Sequence, residues 1–458
     1  MLLKKRFTLI LALVLVIAMF SSCGGPTTSP SEVSEKPNAT PATAPAASTG
    51  EPVRPGGTIS WLCNDYGQVM QKLADEYKAT YNPNAIFNIE IYPRTKLMEV
   101  IEIKLGSGED DFDTLFVDQP LIAGYTWKDY LLPLTKYFTD KQLDNFVDAD
   151  RAAGMVNGEF MAAPLTSSSC VLLVNKTLLA KAGIEFDQNY YDLKDRVTWE
   201  KLSELAIKYQ TAADPDHTKG LWGFAFDQAE NVYQILSLGN SLGEDAIAKD
   251  GFTVKGTLNT KGWVKALTFY QDLYRTWGVS PNGVNNDEVR ELFSSGKIAF
   301  YVGNSIRAKK YDFECAAVYH PYFEGGQVAV PTGSWYQGIN KNSKNADLAA
   351  DFIVWATAGE GAEIWMLANN QVPSQKSLLE SVSKGEFTNF NEWPLIATKV
   401  GVMQNLSGAG YPRPLSPGFL EFDTAMSALF QDIRSGADVT TALEAVAAQL
   451  DSSFQKYR

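Results

Sequence analysis

Beyond residue 57 the apolar positions switch repeatedly between two periods. Thr58-Ile59-Ser60-Trp61-Leu62 reads as a strand, and Val69, Met70, Leu73 and Tyr77 then recur at helical spacing. In Phe87-Asn88-Ile89-Glu90-Ile91-Tyr92 the apolar residues alternate, which predicts a second strand. Leu97, Val100, Ile101 and Leu105 predict a helix ending near Gly106, and Asp113-Thr114-Leu115-Phe116-Val117 a third strand. A β-α-β-α-β order gives a largely parallel sheet covered by helices. Ligands of such sheets collect at the carboxyl ends of the strands. Those ends hold Trp61, Cys63, Asn64 and Asp65, and then Asp118 and Gln119.

After Pro164, Val171-Leu172-Leu173-Val174-Asn175-Lys176 has the run of a buried strand, with a helical pattern that stops at Gly183. Thr198 is placed as the N-cap of a helix that puts Leu202, Leu205 and Tyr209 on one face. Later helical faces carry Trp263, Ala266, Leu267, Tyr270 and Tyr274, then Leu348, Phe352 and Ile353, and finally Leu443, Val446, Leu450 and Phe454. No repeat at a solenoid period and no heptad array is present. A body of about 400 residues with 45% hydrophobic and 12% aromatic content is large enough for two cores.

The N-terminus has a different logic. Lys4, Lys5 and Arg6 precede an uncharged apolar run from Phe7 to Phe20, the layout of a secretory signal over residues 1–22. A helix of that length rises only about 21 Å, short of the roughly 30 Å of a hydrocarbon core. Phe20-Ser21-Ser22-Cys23 resembles the bacterial lipobox, with Phe20 where Leu is usual, and implies a lipidated Cys23 as the new N-terminus. Residues 23–56 then form a linker of Pro, Ser, Thr, Ala and Gly that cannot offset the entropy of folding. Loss of the leader makes the formal charge of −13 more negative by three. Such acidity argues against nucleic acid and against adhesion to anionic lipid.

Few cofactor chemistries fit. The only histidines are His217 and His320, and neither a His-Glu-x-x-His, a paired Cys-x-x-Cys nor a phosphate-cradling Gly-x-x-x-x-Gly-Lys-Ser/Thr loop occurs, so no metal site and no cofactor is expected. Cys63, Cys170 and Cys315 remain after Cys23, an odd number that rules out full internal pairing, and are read as packing residues.

Five short motifs follow one another along the body: Gly158-Glu159-Phe160-Met161-Ala162-Ala163-Pro164 with Val174-Asn175-Lys176 and Ala182-Gly183-Ile184; Thr198-Trp199-Glu200-Lys201-Leu202; Phe293-Ser294-Ser295-Gly296-Lys297-Ile298-Ala299-Phe300; Gly333-Ser334-Trp335-Tyr336-Gln337-Gly338-Ile339 with Ala349, Ala350 and Phe352; and Val372-Pro373-Ser374. In this order they resemble the family 1 extracellular solute-binding proteins of ABC importers, the group that includes maltose-binding proteins. Phe160 and Val174 stand where Tyr is commoner. The resemblance implies an α/β, two-lobed periplasmic-binding-protein-like (type II) fold with three inter-lobe crossings. The lobes would be 57–165 with 322–357, and 166–321 with 358–458; the crossings would lie near Pro164 to Ser168, His320 to Glu324 and Ala356 to Gly359. It further implies a non-enzymatic monomer, exported and lipid-anchored on the outer side of the cell membrane, that hands a mono- or oligosaccharide to the permease subunits of an ABC transporter.

Sugars present hydroxyls to Asp, Asn, Gln and Arg, and C–H faces to aromatic rings. The residues expected to meet them are Trp61, Asn64, Asp65, Asp118 and Gln119 from the first lobe, and Ser168, Trp222, Phe226, Gln228 and Asn304 from the second. Trp335 is the leading aromatic, because the matching family segment returns to the cleft, with Tyr336 and Arg413 as companions; Trp199 and Trp263 lie inside helical patterns and are read as packing. Two alternatives stay open: the same fold with an acidic sugar, peptide or other anion, and a secreted carbohydrate-active enzyme using two carboxylates.

Overall fold

The stretch that opens the body forms β1 (Gly57–Asn64), which lies between β2 (Ala85–Tyr92) and β3 (Thr114–Asp118), parallel to both. The computed structural model describes residues 54–458; the leader, Cys23 and the linker as far as residue 53 lie outside the described residues. A short hairpin, β4 (Met155–Val156) with β5 (Glu159–Phe160), turns on Asn157 and Gly158 at φ 53° and 83°, the Asn-Gly pair that such a two-residue loop demands. It leads into β6 (Ala163–Pro164).

A second sheet is built from β7 (Cys170–Asn175), β8 (Trp222–Phe226), β9 (Ile298–Asn304) and β10 (Cys315–Val318) in the order β10-β7-β9-β8. The chain then forms β11 (Val330–Thr332), and β12 (Trp335–Ile339) returns to the first sheet, giving it the order β2-β1-β3-β12-β6. Here β12 runs antiparallel to β3 with Trp335 opposite Asp118. The late strand β13 (Gly410–Pro412) pairs in parallel with β11. Thr198 caps the helix Trp199–Ala213, accepting from the Lys201 amide at 3.1 Å. The architecture is mixed α/β with two sheet-centred lobes.

The chain passes from β6 in the first sheet to β7 in the second through residues 165–169, and from β10 back to β12 through 319–334. Its last passage differs from the one expected at Ala356 to Gly359. The helix Gly361–Asn369 stays with the first sheet, where Trp365 meets Tyr66 edge-on at 5.0 Å and Phe116 of β3 at 6.0 Å. A Cβ on Gly361 would sit 2.7 Å from the Ala356 Cα, so the glycines there serve a tight turn between two packed helices. The chain reaches the second sheet after residue 370, and Gln404 of the helix Ile396–Leu406 donates to the Cys170 carbonyl at 2.9 Å.

The three passages lie side by side. Val372 O accepts from the Ser167 amide and the Thr166 hydroxyl, both at 2.9 Å, and Thr332 Oγ1 donates to Ser168 O at 2.6 Å. Ser168 Oγ donates to Gly333 O at 2.6 Å. Backbone groups that no sheet pairs are thereby satisfied across the segments themselves.

Candidate functional site

A cleft of about 490 Å³ opens above these passages, bounded by strand ends of both sheets. From the first sheet come Asn64 at the end of β1, Arg94 just past β2, Asp118 at the end of β3 and Trp335 at the start of β12, which is antiparallel and so begins where β3 ends. From the second come Ser168 before β7, Gln228 and Asn231 after β8, and Asn304 and Arg307 at and after β9. Asp65, Tyr66, Tyr233, Gln371 and Arg413 complete much of the lining.

At its base Arg413 grips Asp118, Nη2 to Oδ1 at 2.5 Å and Nη1 to Oδ2 at 3.2 Å, while Arg94 Nη2 reaches Oδ2 at 3.2 Å. Burial alone would raise the Asp118 pKa, but the two guanidiniums outweigh it and hold the carboxyl below its usual range. The Arg413 guanidinium lies 5.5 Å from the centre of the Tyr233 ring. The Tyr233 hydroxyl meets Ser168 Oγ at 2.7 Å and accepts from Asn304 Nδ2 at 3.3 Å. Asn231 caps the helix Val232–Ser241 by accepting from the Tyr233 amide at 2.8 Å, which fixes where that helix begins. Burial pushes the Tyr66 phenol up to about 12, against hydrogen bonding with Gln371 and Asn64, so it stays a neutral donor.

Eight residues expected from the sequence therefore line one cleft: Asn64, Asp65, Asp118, Ser168, Gln228, Asn304, Trp335 and Arg413. Five lie elsewhere. Trp61 is fully buried on the face of β1 toward the helix Ala346–Ala358, edge-on to Phe352 at 5.0 Å, and donates its Nε1–H to Gln337 Oε1 at 3.0 Å. Gln119 turns under the cleft and donates to Arg413 O at 3.1 Å. Trp222 begins β8, the end remote from the cleft, and stacks on His217 at 4.9 Å. Phe226 packs between Trp199 at 5.6 Å and Phe224 at 4.9 Å. Tyr336 follows Trp335 on a pleated strand, so it faces the opposite side and donates to Asp150 O at 2.9 Å.

Arg94, Asn231, Arg307, Tyr66, Tyr233 and Gln371 were not anticipated. The first three follow the carboxyl ends of β2, β8 and β9, and extending the strand-end rule to every strand finds them. Gln371 adjoins Val372-Pro373-Ser374, the last passage, and that proximity is its only sequence signal.

Among the described residues, no group of three or more His, Cys, Asp or Glu side chains is placed to hold a metal ion. Cys63, Cys170 and Cys315 are free thiols, each pushed upward by burial and so held in the unreactive protonated form. No helix among the described residues is long and apolar enough to cross a membrane.

Known proteins resemble this chain in sequence and in fold. A probable ABC transporter-binding protein of Deinococcus radiodurans is 24% identical over 323 residues, 66% of this chain and 72% of its own length. The maltodextrin-binding protein MdxE of Bacillus subtilis is 24% identical over 362 residues, 75% of this chain and 78% of its own length. Among solved structures, the cyclic alpha-maltosyl-1,6-maltose binding protein from Arthrobacter globiformis superposes with a TM-score of 0.73 at 18% identity, over 88% of this chain and 100% of that one. The family model described as bacterial extracellular solute-binding protein matches residues 72–398, more than half of the sequence, and the chain belongs to that family.

Proposed function

We propose that the protein captures a mono- or oligosaccharide in this cleft, leaves it chemically unchanged, and delivers it to the permease of an ABC transporter. The observation that carries the reading is the composition of the cleft. Amides and hydroxyls from both sheets, Asn64, Ser168, Gln228, Asn231, Asn304 and Gln371, stand around the aromatic residues Tyr66, Tyr233 and Trp335. Planar amides satisfy sugar hydroxyls in pairs, and rings accept C–H faces. The named sugar ligands of MdxE and of the Arthrobacter protein support the same chemistry.

Because the two walls belong to different sheets, a solute that touches both favours the arrangement in which they approach. The side-by-side passages at 165–168, 330–334 and 372–374 are the natural place for the accompanying rotation. A monomer held by lipid on Cys23 would keep the cleft concentrated near its permease.

The test is a melting-temperature screen of the mature chain over a saccharide panel, with the mixtures analysed afterwards for products. A ligand at a thousand times its dissociation constant adds about 4 kcal/mol of stability. Stabilisation by an amino acid, polyamine or iron chelate and by no saccharide refutes the carbohydrate reading. Turnover of the stabilising sugar refutes the non-catalytic one.

A further inference from the structure

Acidic residues outnumber basic ones 53 to 40 in this chain, yet the cleft reverses the balance. Its lining holds Arg94, Arg307 and Arg413 against Asp65 and Asp118, with no lysine and no glutamate among the described lining residues. A recess whose lining opposes the charge of the whole molecule points to the charge of the visitor.

The three arginines are not equally engaged. Arg413 has a side chain only 9% exposed, puts both terminal nitrogens on Asp118, and has the carboxyl of Asp423 close enough to perturb it. Arg94 has a side chain 50% exposed, and its single hydrogen bond goes to Asp118 Oδ2, an oxygen already receiving Arg413 Nη1. Arg307 has a side chain 46% exposed and comes no nearer to a carboxylate than 4.0 Å, at Asp227. Asp227 is itself committed through its other oxygen to Arg290 Nε at 2.6 Å and the Tyr301 hydroxyl at 2.7 Å. Arg94 and Arg307 thus keep most of their N–H donors for something else in the cleft, and each guanidinium is a fork shaped for a carboxylate or phosphate.

Their positions give the pairing a purpose. Arg94 follows β2 in the first sheet and Arg307 follows β9 in the second, so an anion that meets both is held by contacts that require the walls to approach. The amide-rich remainder of the lining stays available for hydroxyls. We infer that the saccharide received here carries a negative group, a carboxylate or a phosphate, bound between Arg94 and Arg307. The inference rests on the carbohydrate reading above.

Matched probes test it: glucose, glucuronate and glucose 6-phosphate; galactose and galacturonate; and neutral and uronate oligomers of two to four units. Each is titrated into the mature chain by calorimetry and by melting shift, at low and high salt. The expected result is a charged member binding roughly tenfold or more tighter than its neutral twin, with an affinity that falls as salt rises. In R94Q/R307Q that advantage disappears while the melting temperature of the free protein is kept, since both side chains are half exposed. The phosphate and uronate arms tell the two anions apart. A neutral twin binding as tightly as the charged one, or a charged ligand whose affinity ignores both salt and the double variant, overturns the inference and leaves the carbohydrate reading standing. No saccharide binding at all refutes the carbohydrate reading and the inference with it.

Discussion

Arg413 and Asp118 face each other in a bidentate ion pair at the base of the cleft, 2.5 Å and 3.2 Å apart, with side chains 9% and 8% exposed. Asp118 ends β3 in the first sheet, whereas Arg413 follows β13, the strand that lies along the second passage between the sheets. The pair therefore ties the first sheet to the segments that connect the lobes.

Removing one partner of such a pair strands a desolvated charge. R413Q is expected to lose roughly 3–5 kcal/mol in urea unfolding at neutral pH. The acid limb gives a separate signature. The folded carboxyl of Asp118 lies below its unfolded value, so the stability it confers is present above about pH 3.9 and lost as pH falls through the folded value. D118N should flatten unfolding free energy against pH below about pH 4 and leave its slope between pH 5 and 8 unchanged.

Asp150 behaves in the opposite sense. It is fully buried beneath the first and last passages, its carboxyl oxygens have no hydrogen-bond partner among the described residues, and burial pushes it to about 7. The folded protein thus holds this proton more tightly than the unfolded chain does. Its contribution is greatest below 3.8 and diminishes as pH rises to about 7, with a slope of at most about 1.4 kcal/mol per pH unit. D150N should be more stable than the parent above pH 7, and the gap should close toward pH 4. A gap independent of pH would contradict this.

His320 supplies a competing slope. Its ring is buried against Trp199 at 5.4 Å, and the nitrogen facing the Pro321 carbonyl at 2.9 Å must carry the proton. Burial, with Arg196 nearby, lowers its pKa from 6.5 to about 3. The unfolded chain takes up a proton that the folded one refuses, so stability is lost as pH falls from 6.5 toward 3. H320N, which keeps a donor near the same place, should cost a roughly constant amount above pH 7 and remove the loss below 6.5. Unfolding curves of the two single variants separate the Asp150 and His320 slopes, which oppose each other in the parent between about pH 4 and 6.5.

The order of elements was legible because it depends on periodicity: the early β-α-β-α-β run, the Thr198 cap and the helical faces around Trp263 and Phe352 follow from spacing alone. The early strand ends were legible too, which is why Asn64 and Asp118 were found, whereas Gln228 and Asn304 were chosen by residue type for their affinity for hydroxyls. Three of the five misplacements share one physical cause. Trp61, Phe226 and Tyr336 were chosen as aromatics for the cleft, and the pleat then decided their direction, inward in each case. Direction at a strand end depends on register with strands far away in sequence, such as Trp335 opposite Asp118, and one sequence does not state that register. The crossing that the resemblance placed at Ala356 to Gly359 is instead a turn that folds one helix onto another.

A paired experiment separates cleft from core at residues that sequence reasoning treated alike. Gln228 is half-buried in the lining, and its side-chain amide makes no hydrogen bond among the described residues, so it is free for a ligand. Q228A should weaken saccharide binding by roughly 1–2 kcal/mol, about five- to thirty-fold, with little change in unfolding free energy. Tyr336 instead spends its hydroxyl on the buried Asp150 carbonyl at 2.9 Å. Y336F removes that hydrogen bond and should cost roughly 0.5–1.5 kcal/mol of stability while the affinity of the folded protein is kept. Calorimetric titration and urea unfolding of both variants decide the matter. A Y336F protein that folds normally but binds sugar poorly would return Tyr336 to the cleft and remove the pleat as the reason for its exclusion.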